Sequence, residues 1–127
     1  MFITLEGPEG SGKTSQLPLL AGYLREQGFD VLTTREPGGT SIGDQIREVL
    51  VRMENQELHP RTEILLFLAA RAQLVEQVIR PALQNDTIVL CDRYGDSTLA
   101  YQGCGHGLDL ELLRNMLHFA TGGLRPD

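Results

Sequence analysis

The chain has 127 residues, a length that gives one domain with a hydrophobic core of its own. Its formal net charge of -6 at pH 7 argues against a general nucleic-acid-binding protein, which would normally carry a basic face. The sequence contains no long apolar run and no charged-then-apolar leader, so we expect a cytoplasmic protein that is neither secreted nor inserted in a membrane. Cys91 and Cys104 lack the spacing of a metal site and are expected to be free thiols.

The first element is a short predicted strand, Phe2 to Glu6, which leads directly into a glycine-rich segment. Residues 7–14 read GPEGSGKT and match the phosphate-loop pattern G-x-x-x-x-G-K-[ST] at every fixed position. A helix is predicted to follow, because apolar residues recur at helical spacing from Leu17 to Leu24. Pro18 lies inside this helix and is expected to distort it locally, and Gly28 is expected to end it.

A phosphate loop binds anions because backbone N–H groups, left uncovered by glycines, converge at a helix N-terminus. Lys13 is expected to reach the β- and γ-phosphates of a nucleotide, and the Thr14 hydroxyl to ligate a magnesium ion that bridges them. The alternative is a glycine-rich turn without a ligand, which Lys13 and Thr14 disfavour. The predicted phosphate-binding residues are Gly7, Pro8, Glu9, Gly10, Ser11, Gly12, Lys13 and Thr14.

Two further helices and a second strand are predicted in the middle of the chain. The strand covers Val31 to Thr34. An amphipathic helix is predicted over Asp44 to Met53, and a longer helix over Glu63 to Leu83, with Pro81 in its last turn or at a kink. The apolar positions expected to face the core are Ile46, Val49, Leu50 and Met53 in the first helix, and Leu65, Leu68, Ala72, Val75 and Ile79 in the second.

The last predicted strand, Thr87 to Cys91, is apolar on both faces, as a central parallel strand should be. Asp109 is expected to cap a final helix that runs to about Phe119. Strands alternating with helices indicate an α/β fold with a doubly wound parallel sheet. Because residues 122–127 read as a turn towards another strand, we expect this sheet to be incomplete, with an exposed edge on the first strand that favours aggregation or strand pairing.

Three further segments, together with the phosphate loop, resemble the thymidylate kinase family. They read TREPGGT at 34–40, LFLAARAQ at 66–73 and DRYGDSTLAYQG at 92–103. Glu9, in a loop without arginine, is similar to the bacterial type. The resemblance implies a P-loop nucleoside monophosphate kinase core over 1–127, the N-terminal part of such an enzyme, with its lid and last strands absent.

Phe67 and Arg71 are four residues apart on the predicted long helix, so they share one face and can present an aromatic ring beside a guanidinium group. The two residues alone favour a simpler interpretation, a core phenylalanine and a surface arginine. The resemblance implies instead that Phe67 stacks on the thymine of dTMP and that Arg71 bonds the base.

Asp92 and Arg93 follow the third strand, at the edge of the sheet where open α/β folds bind ligands. The alternative is a salt bridge that caps a helix. The resemblance implies that Arg93 grips the acceptor phosphate and the group in transfer, while Asp92 orders magnesium through water. It makes Arg35 a second clamp on the acceptor phosphate, held by a loop in which a cis bond before Pro37 is compatible with the family.

The resemblance adds four residues to the dTMP site, namely Glu9, Thr98, Tyr101 and Gln102. Glu9 would meet the deoxyribose 3'-hydroxyl or the metal, and Tyr101 would lie under the sugar where a 2'-hydroxyl does not fit. The implied catalytic residues are Lys13, Arg93 and Glu9.

The implied reaction is transfer of the ATP γ-phosphoryl group to dTMP, giving dTDP and ADP in pyrimidine deoxynucleotide synthesis, with Mg²⁺ as cofactor. Family members of this type bring a catalytic arginine from a lid beyond the point where this sequence stops, so this chain alone is expected to bind dTMP poorly or moderately and to turn it over very slowly, if at all. A homodimer is implied for the full-length family, and no nucleic acid or membrane is expected as a partner. Two alternatives stay open, a non-catalytic nucleotide-binding fragment and a deoxynucleoside kinase, whereas the sequence lacks the [NT]-K-x-D segment of a GTPase.

Overall fold

The computed structural model describes residues 1–52, 57–104 and 109–127, without the side chains of 102–104. Strands alternate with helices along these residues, as the sequence predicts. The elements in chain order are β1 (Phe2–Leu5), α1 (Lys13–Glu26), β2 (Val31–Arg35), α2 (Ser41–Val51), α3 (Pro60–Leu74), a π-helical segment (Val75–Ile79), α4 (Arg80–Gln84), β3 (Ile88–Asp92), α5 (Gly95–Thr98), a second π-helical segment (Leu99–Cys104) and α6 (Leu110–Thr121).

The three strands within the described residues form one parallel sheet in the order β1-β3-β2. Asp92 at the end of β3 is in register with both Leu5 of β1 and Arg35 of β2. The carboxyl ends of all three strands therefore meet at one edge of the sheet. The predicted α/β fold with a parallel sheet is confirmed, and β3 is its buried central strand, as its apolar sequence predicts.

The outer edge of β1 is covered at its first residue by the chain itself. The Phe2 N–H donates to Asp127 Oδ2 at 2.7 Å, and the Asp127 N–H donates to the Phe2 carbonyl at 2.9 Å. The expectation of a fully exposed edge on the first strand is wrong at this position, because residues after α6 return to lie beside β1.

The core lies on both faces of the sheet. On one face α1 packs Leu17 and Ala21 against Ile88 and Leu90, and on the other the long helix packs against Phe2, Val89 and Cys91. A separate helical cluster joins α3 to α6. It contains Ile64, Leu68, Leu113, Leu117 and Ala120.

Two predicted helix starts are wrong, because α2 and α3 both begin three residues earlier than expected, α3 at Pro60 instead of Glu63. Helix α1 runs unbroken through Pro18, and the Asp109 side chain caps α6 by accepting from the N–H groups of the first turn. Helix α2 begins at Ser41, three residues earlier than expected, because the Thr40 side chain accepts from the Gly43 N–H at 2.8 Å and caps the helix there.

The predicted core face of α2 is wrong. Gly43 is the buried residue of this helix, whereas Val49 is 41% exposed and Leu50 lines a cleft instead of the core. Met53, the fourth residue of that face, lies outside the described residues. Leu65 of α3 is also exposed rather than buried, while Leu68, Val75 and Ile79 are buried as predicted.

The predicted long helix is continuous from residue 60 to residue 84, with a π-helical turn in the middle. Pro81 lies in its last turn, as expected. The Arg80 N–H reaches five residues back to the Val75 carbonyl, the spacing that defines a π turn. None of the helices in the described part of the chain is both long and apolar enough to cross a membrane.

Candidate active site

A cleft of about 1260 Å³ lies at the carboxyl ends of the strands. Pockets for one small ligand measure roughly 300–1,000 Å³, so the size of this cleft does not restrict it to a single ligand. Twelve of the residues singled out in the sequence line it: Glu9, Gly10, Gly12, Lys13, Thr14, Arg35, Phe67, Arg71, Asp92, Arg93, Thr98 and Tyr101. The other loop positions, Gly7, Pro8 and Ser11, are not among the lining residues, and the Gln102 side chain lies outside the described part.

The phosphate loop ends at Gly12, whose φ of 91° is a left-handed conformation that favours glycine. Helix α1 starts at the next residue, and no side chain among the described residues caps its first turn. The N–H groups of Ser15 and Gln16 donate to the Gly12 carbonyl, so those of Lys13 and Thr14 are the ones that a ligand can meet, at the positive end of the helix dipole. This is the geometry expected of a phosphate site.

Lys13 folds back over the phosphate loop. Its Nζ donates to the Gly7 carbonyl at 2.8 Å, to the Pro8 carbonyl at 2.7 Å and to the Ser11 hydroxyl at 3.3 Å. The ammonium group is therefore held directly above the loop, beside the start of α1.

Thr14 and Asp92 lie side by side at the floor of this end of the cleft. The Thr14 hydroxyl donates to Asp92 Oδ2 at 3.4 Å, while Asp92 Oδ1 is buried and has no hydrogen-bond partner within the described residues. Hard divalent cations prefer hydroxyl and carboxylate oxygens of this kind. The two residues fit the expected magnesium position, although the described residues hold no cluster of three His, Cys, Asp or Glu side chains around it.

Arg93 has φ of 71°, an uncommon conformation for a residue other than glycine. Hydrogen bonds on both sides hold the backbone in it. The Arg93 N–H donates to the Leu5 carbonyl at 3.1 Å, and the N–H of Tyr94 donates to Glu6 Oε1 at 2.7 Å. The ends of β1 and β3 thereby fix the direction in which Arg93 leaves the sheet.

The Arg93 side chain lies across the cleft wall formed by the segment after β3. Its Nη1 donates to the Ser97 hydroxyl at 3.3 Å, and that hydroxyl in turn donates to the Glu6 carboxylate. The guanidinium carbon is 5.3 Å from the ring centre of Tyr101, a cation–π contact. Arg93, Tyr101 and the buried Thr98 are thus brought together, as the sequence predicts.

Arg35 ends β2, in register with Asp92 of β3, and its side chain remains largely exposed. Its Nη2 is 3.5 Å from Asp44 Oδ1, and the same oxygen accepts from the Gly39 N–H at 3.2 Å. The loop between β2 and α2 contains a cis peptide bond between Glu36 and Pro37. This loop holds Arg35 at the cleft, as expected.

Phe67 and Arg71 lie one helical turn apart on α3, and both line the cleft. Arg71 is 2% exposed, so the alternative of a surface arginine is wrong. Its Nε donates to both carboxylate oxygens of Glu36, at 2.9 and 2.8 Å, and its Nη2 donates to Glu36 and to the Tyr94 carbonyl. Burial opposes the charge on Arg71, but the Glu36 carboxylate outweighs it and raises the pKa of Arg71, which stays protonated.

Sequence reasoning missed Glu36 and Glu6. Glu36 is 6% exposed and lies within segment 34–40, and the sequence pattern gives no role for it. A carboxylate cannot be buried at this level without a partner, and that partner is 35 positions away in Arg71. The sequence contains one signal for this pair. Glu36 is the acidic residue of segment 34–40, Arg71 is the arginine of segment 66–73, and both segments carry the family resemblance.

The fold and the cleft define the phosphate-loop class of α/β proteins, because the first strand of a parallel sheet leads through the loop into a helix at the ligand-binding edge. A family model described as thymidylate kinase matches residues 5–127. The chain belongs to the thymidylate kinase family.

Individual relatives show the same likeness. The chain is 56% identical to a thymidylate kinase of Exiguobacterium over 127 residues, covering 100% of this chain and 60% of the relative. It is 58% identical to that of Roseiflexus sp. (strain RS-1), covering all of this chain and 56% of the relative. The crystal structure of thymidylate kinase from Ehrlichia chaffeensis superimposes with a TM-score of 0.92 at 43% identity, covering all of this chain and 72% of that one. The chain thus spans roughly three fifths of the length of these curated relatives.

Proposed function

We propose that this cleft serves transfer of the γ-phosphoryl group of ATP to dTMP, giving dTDP and ADP. One observation carries the proposal: a single cleft is lined both by the phosphate loop and by the Phe67–Arg71 pair of α3. Arg93 joins the two regions, because its N–H donates to Leu5 at the end of β1 and the carbonyl of the next residue, Tyr94, accepts from Arg71. The donor triphosphate would occupy the loop end, and the acceptor nucleotide the end formed by α3. Membership of the thymidylate kinase family supports dTMP as the acceptor and does not favour a deoxynucleoside kinase.

At the loop end, Lys13 and the free N–H groups of α1 would bind the β- and γ-phosphates. Arg93 and Arg35 lie at the ends of the neighbouring strands β3 and β2 and both line the cleft, so both can hold the acceptor phosphate. Transfer between two anions needs alignment and charge neutralisation more than covalent catalysis, and these three cations supply both. The acceptor phosphate is already ionised, so the site needs no general base. Glu9 also lines the cleft, and we place it at the deoxyribose 3'-hydroxyl or beside the metal.

We propose that Mg²⁺ is the cofactor and that the Thr14 hydroxyl and Asp92 hold it, the latter through water. The unpartnered, buried Oδ1 of Asp92 supports this, because a buried carboxylate oxygen needs a donor or a cation. When bound, the ion neutralises charge on the donor phosphates. Replacing Thr14 with Val is expected to weaken binding of ATP in magnesium buffer far more than binding of ATP in EDTA.

At the other end, Phe67 would stack on thymine, and Arg71 would bond the base. Tyr101, Thr98 and Gln102 would complete the sugar and base pocket. Tyr101 is 47% exposed, so part of its ring is available to a sugar, although the Arg93 guanidinium group lies over one ring face.

Calorimetric titration with dTMP, dCMP and AMP tests the acceptor assignment. We expect selective binding of dTMP, and we expect Phe67→Ala to weaken it by roughly ten- to a hundredfold, since stacking on an aromatic ring contributes about 1–3 kcal/mol per base. Phe119→Ala is the matched control, because Phe119 is 89% exposed on α6, which does not line this cleft. Equal affinity for the three monophosphates would refute the assignment.

The donor assignment has a test of its own, because Lys13 is the only lysine in the sequence. Acetylation of amines can therefore be followed at two places, Lys13 and the Met1 amine. We expect ATP with magnesium to slow acetylation of Lys13 and to leave Met1, which is 64% exposed, unchanged. Equal acetylation of Lys13 with and without ATP would contradict the donor site.

We also propose a cytoplasmic location and a homodimer in which the chain uses apolar side chains of α2 and α3. Ile42 of α2 is 51% exposed and Leu65 of α3 is 57% exposed, on two helices that pack against each other. Large exposed apolar side chains on neighbouring elements often mark an interface. Sedimentation equilibrium of the native chain and of Leu65→Glu is the test, with the variant expected to shift towards monomer.

A further inference from the structure

The guanidinium group of Arg71 is fixed almost entirely by Glu36. Both side chains are buried, and the carboxylate meets the Nε edge of the guanidinium with both of its oxygens. Such a two-oxygen contact sets the plane of the guanidinium group as well as its position. The Tyr94 carbonyl accepts from Nη2 at 3.1 Å and completes the restraint.

Counting donors shows what is left for a ligand. A guanidinium group has five N–H donors, one on Nε and two on each terminal nitrogen. Nε and Nη2 are engaged by Glu36 and Tyr94, whereas Nη1 is buried and has no partner among the described residues. An unpaired buried donor is costly, so Nη1 needs an acceptor, and Arg71 lines the cleft from which one can come.

The pairing also determines which acceptor suits Nη1. The Glu36 carboxylate cancels the guanidinium charge at close range, so the free Nη1 donors belong to a pair without net charge. A neutral carbonyl oxygen fits such a donor better than a phosphate does. Lys13 and Arg93, two other cations that line the cleft, instead donate to uncharged oxygens within the described residues, so their charge stays available to a phosphate.

We propose that Glu36 is a positioning residue for base selection: it fixes the plane of the Arg71 guanidinium group, so that Nη1 donates to the base at the 4-carbonyl oxygen of thymine. The inference rests on the proposed function. The 4-oxygen lies opposite the bond to the sugar, so it is the carbonyl that reaches the buried end when the phosphate faces the loop. Cytosine carries an amino group there, which would place N–H against N–H.

The test compares dTMP with 5-methyl-dCMP by calorimetric titration of the full chain. The two ligands share the methyl group and the 2-carbonyl and differ at the 4-position and in the proton on the adjacent ring nitrogen. The ratio of their affinities does not change when part of the protein is unfolded, because both affinities fall by the same factor. A purely structural role of Glu36 therefore leaves the ratio unchanged.

Glu36→Asp keeps the charge and withdraws the carboxylate by one methylene group, so Arg71 must shift to follow it. We expect the preference for dTMP to fall about fivefold, the factor that one weakened hydrogen bond carries. Glu76→Asp is the matched control. Glu76 pairs with Arg80 at 2.8 Å on the surface, away from the cleft. The Glu76→Asp variant should therefore have the same ratio of dTMP to 5-methyl-dCMP affinity as the native chain.

A second variant, Glu36→Gln/Arg71→Gln, replaces the ion pair with two uncharged side chains. This chain can fold even where the Asp variant does not. We expect this variant to lose the preference for dTMP. An Asp variant that folds and keeps the native ratio within twofold, or a double variant that retains the preference, overturns the role of Glu36. A native chain without a preference for dTMP refutes the proposed substrate itself, which separates the two failures.

Discussion

Replacing Glu36 with Met should destabilise the fold strongly, because it leaves the Arg71 charge buried with the Tyr94 carbonyl as its one remaining acceptor of those described. Met has nearly the volume of Glu, so the change removes the charge and two acceptors without opening a large cavity. Breaking a buried ion pair by removing one partner costs about 3–5 kcal/mol. The entropy of unfolding of a 127-residue domain is about 0.27 kcal/mol per kelvin near 60 °C, so the melting temperature should fall by about 11–19 °C.

Thermal and urea denaturation followed by circular dichroism measure this effect. The double variant Glu36→Met/Arg71→Met should recover most of the loss, because apolar side chains of similar volume can replace a buried ion pair. Glu76→Gln, which breaks the largely exposed pair with Arg80, should change stability by less than about 0.5 kcal/mol. A Glu36→Met chain that melts within about 3 °C of the native protein would show that the pair is not a buried charge contact of the kind described.

Three further predictions concern parts of the fold outside the cleft. Burial raises the pKa of the Cys91 thiol well above its usual value, so in a Cys104→Ser chain we expect a thiol reagent to label Cys91 only as fast as the protein unfolds, and rapid labelling in native buffer would contradict this. Gly39→Ala should lower the free energy of unfolding in urea by about 1–3 kcal/mol, because the new Cβ would lie 2.5 Å and 2.8 Å from neighbouring side-chain atoms. Gly28→Ala, at a position with a similar φ but open space around it, should lower it less. Arg80→Ala should speed amide exchange at the end of α6, since Arg80 Nη2 donates to two carbonyls there at 2.9 and 3.0 Å, and unchanged exchange would refute that role.

The sequence predicts the features of this fold that depend on neighbouring residues. The phosphate loop, the apolar run of β3 and the Asp109 cap of α6 each follow from chemistry within a few positions, and each is present in the structure. The position of Arg93 at the cleft also follows, because the carboxyl ends of parallel strands meet at the ligand-binding edge. For Phe67 and Arg71 the spacing gives a shared helix face, and their place at the cleft follows from the family resemblance.

Features that depend on distant residues could not be predicted in this way. The spacing of apolar residues in α2 indicates which residues share a face, but it does not indicate whether that face meets the core or the cleft, and Leu50 meets the cleft. The burial of Arg71 depends on Glu36, far away in sequence, and no periodicity encodes that pairing. An isolated arginine in a helix is therefore read as a surface residue until its partner is known.

The contacts of Lys13 have a consequence for what the protein can bind. Its ammonium group has three protons, and the loop already supplies three acceptors for them. An arriving phosphate must displace these acceptors, so the number of hydrogen bonds at the ammonium group stays about the same. The favourable free energy of binding at Lys13 then comes from bringing opposite charges together. It disappears for a nucleoside that carries no phosphate. Lys13 therefore distinguishes ligands by their charge, and raising the salt concentration should erode that distinction first.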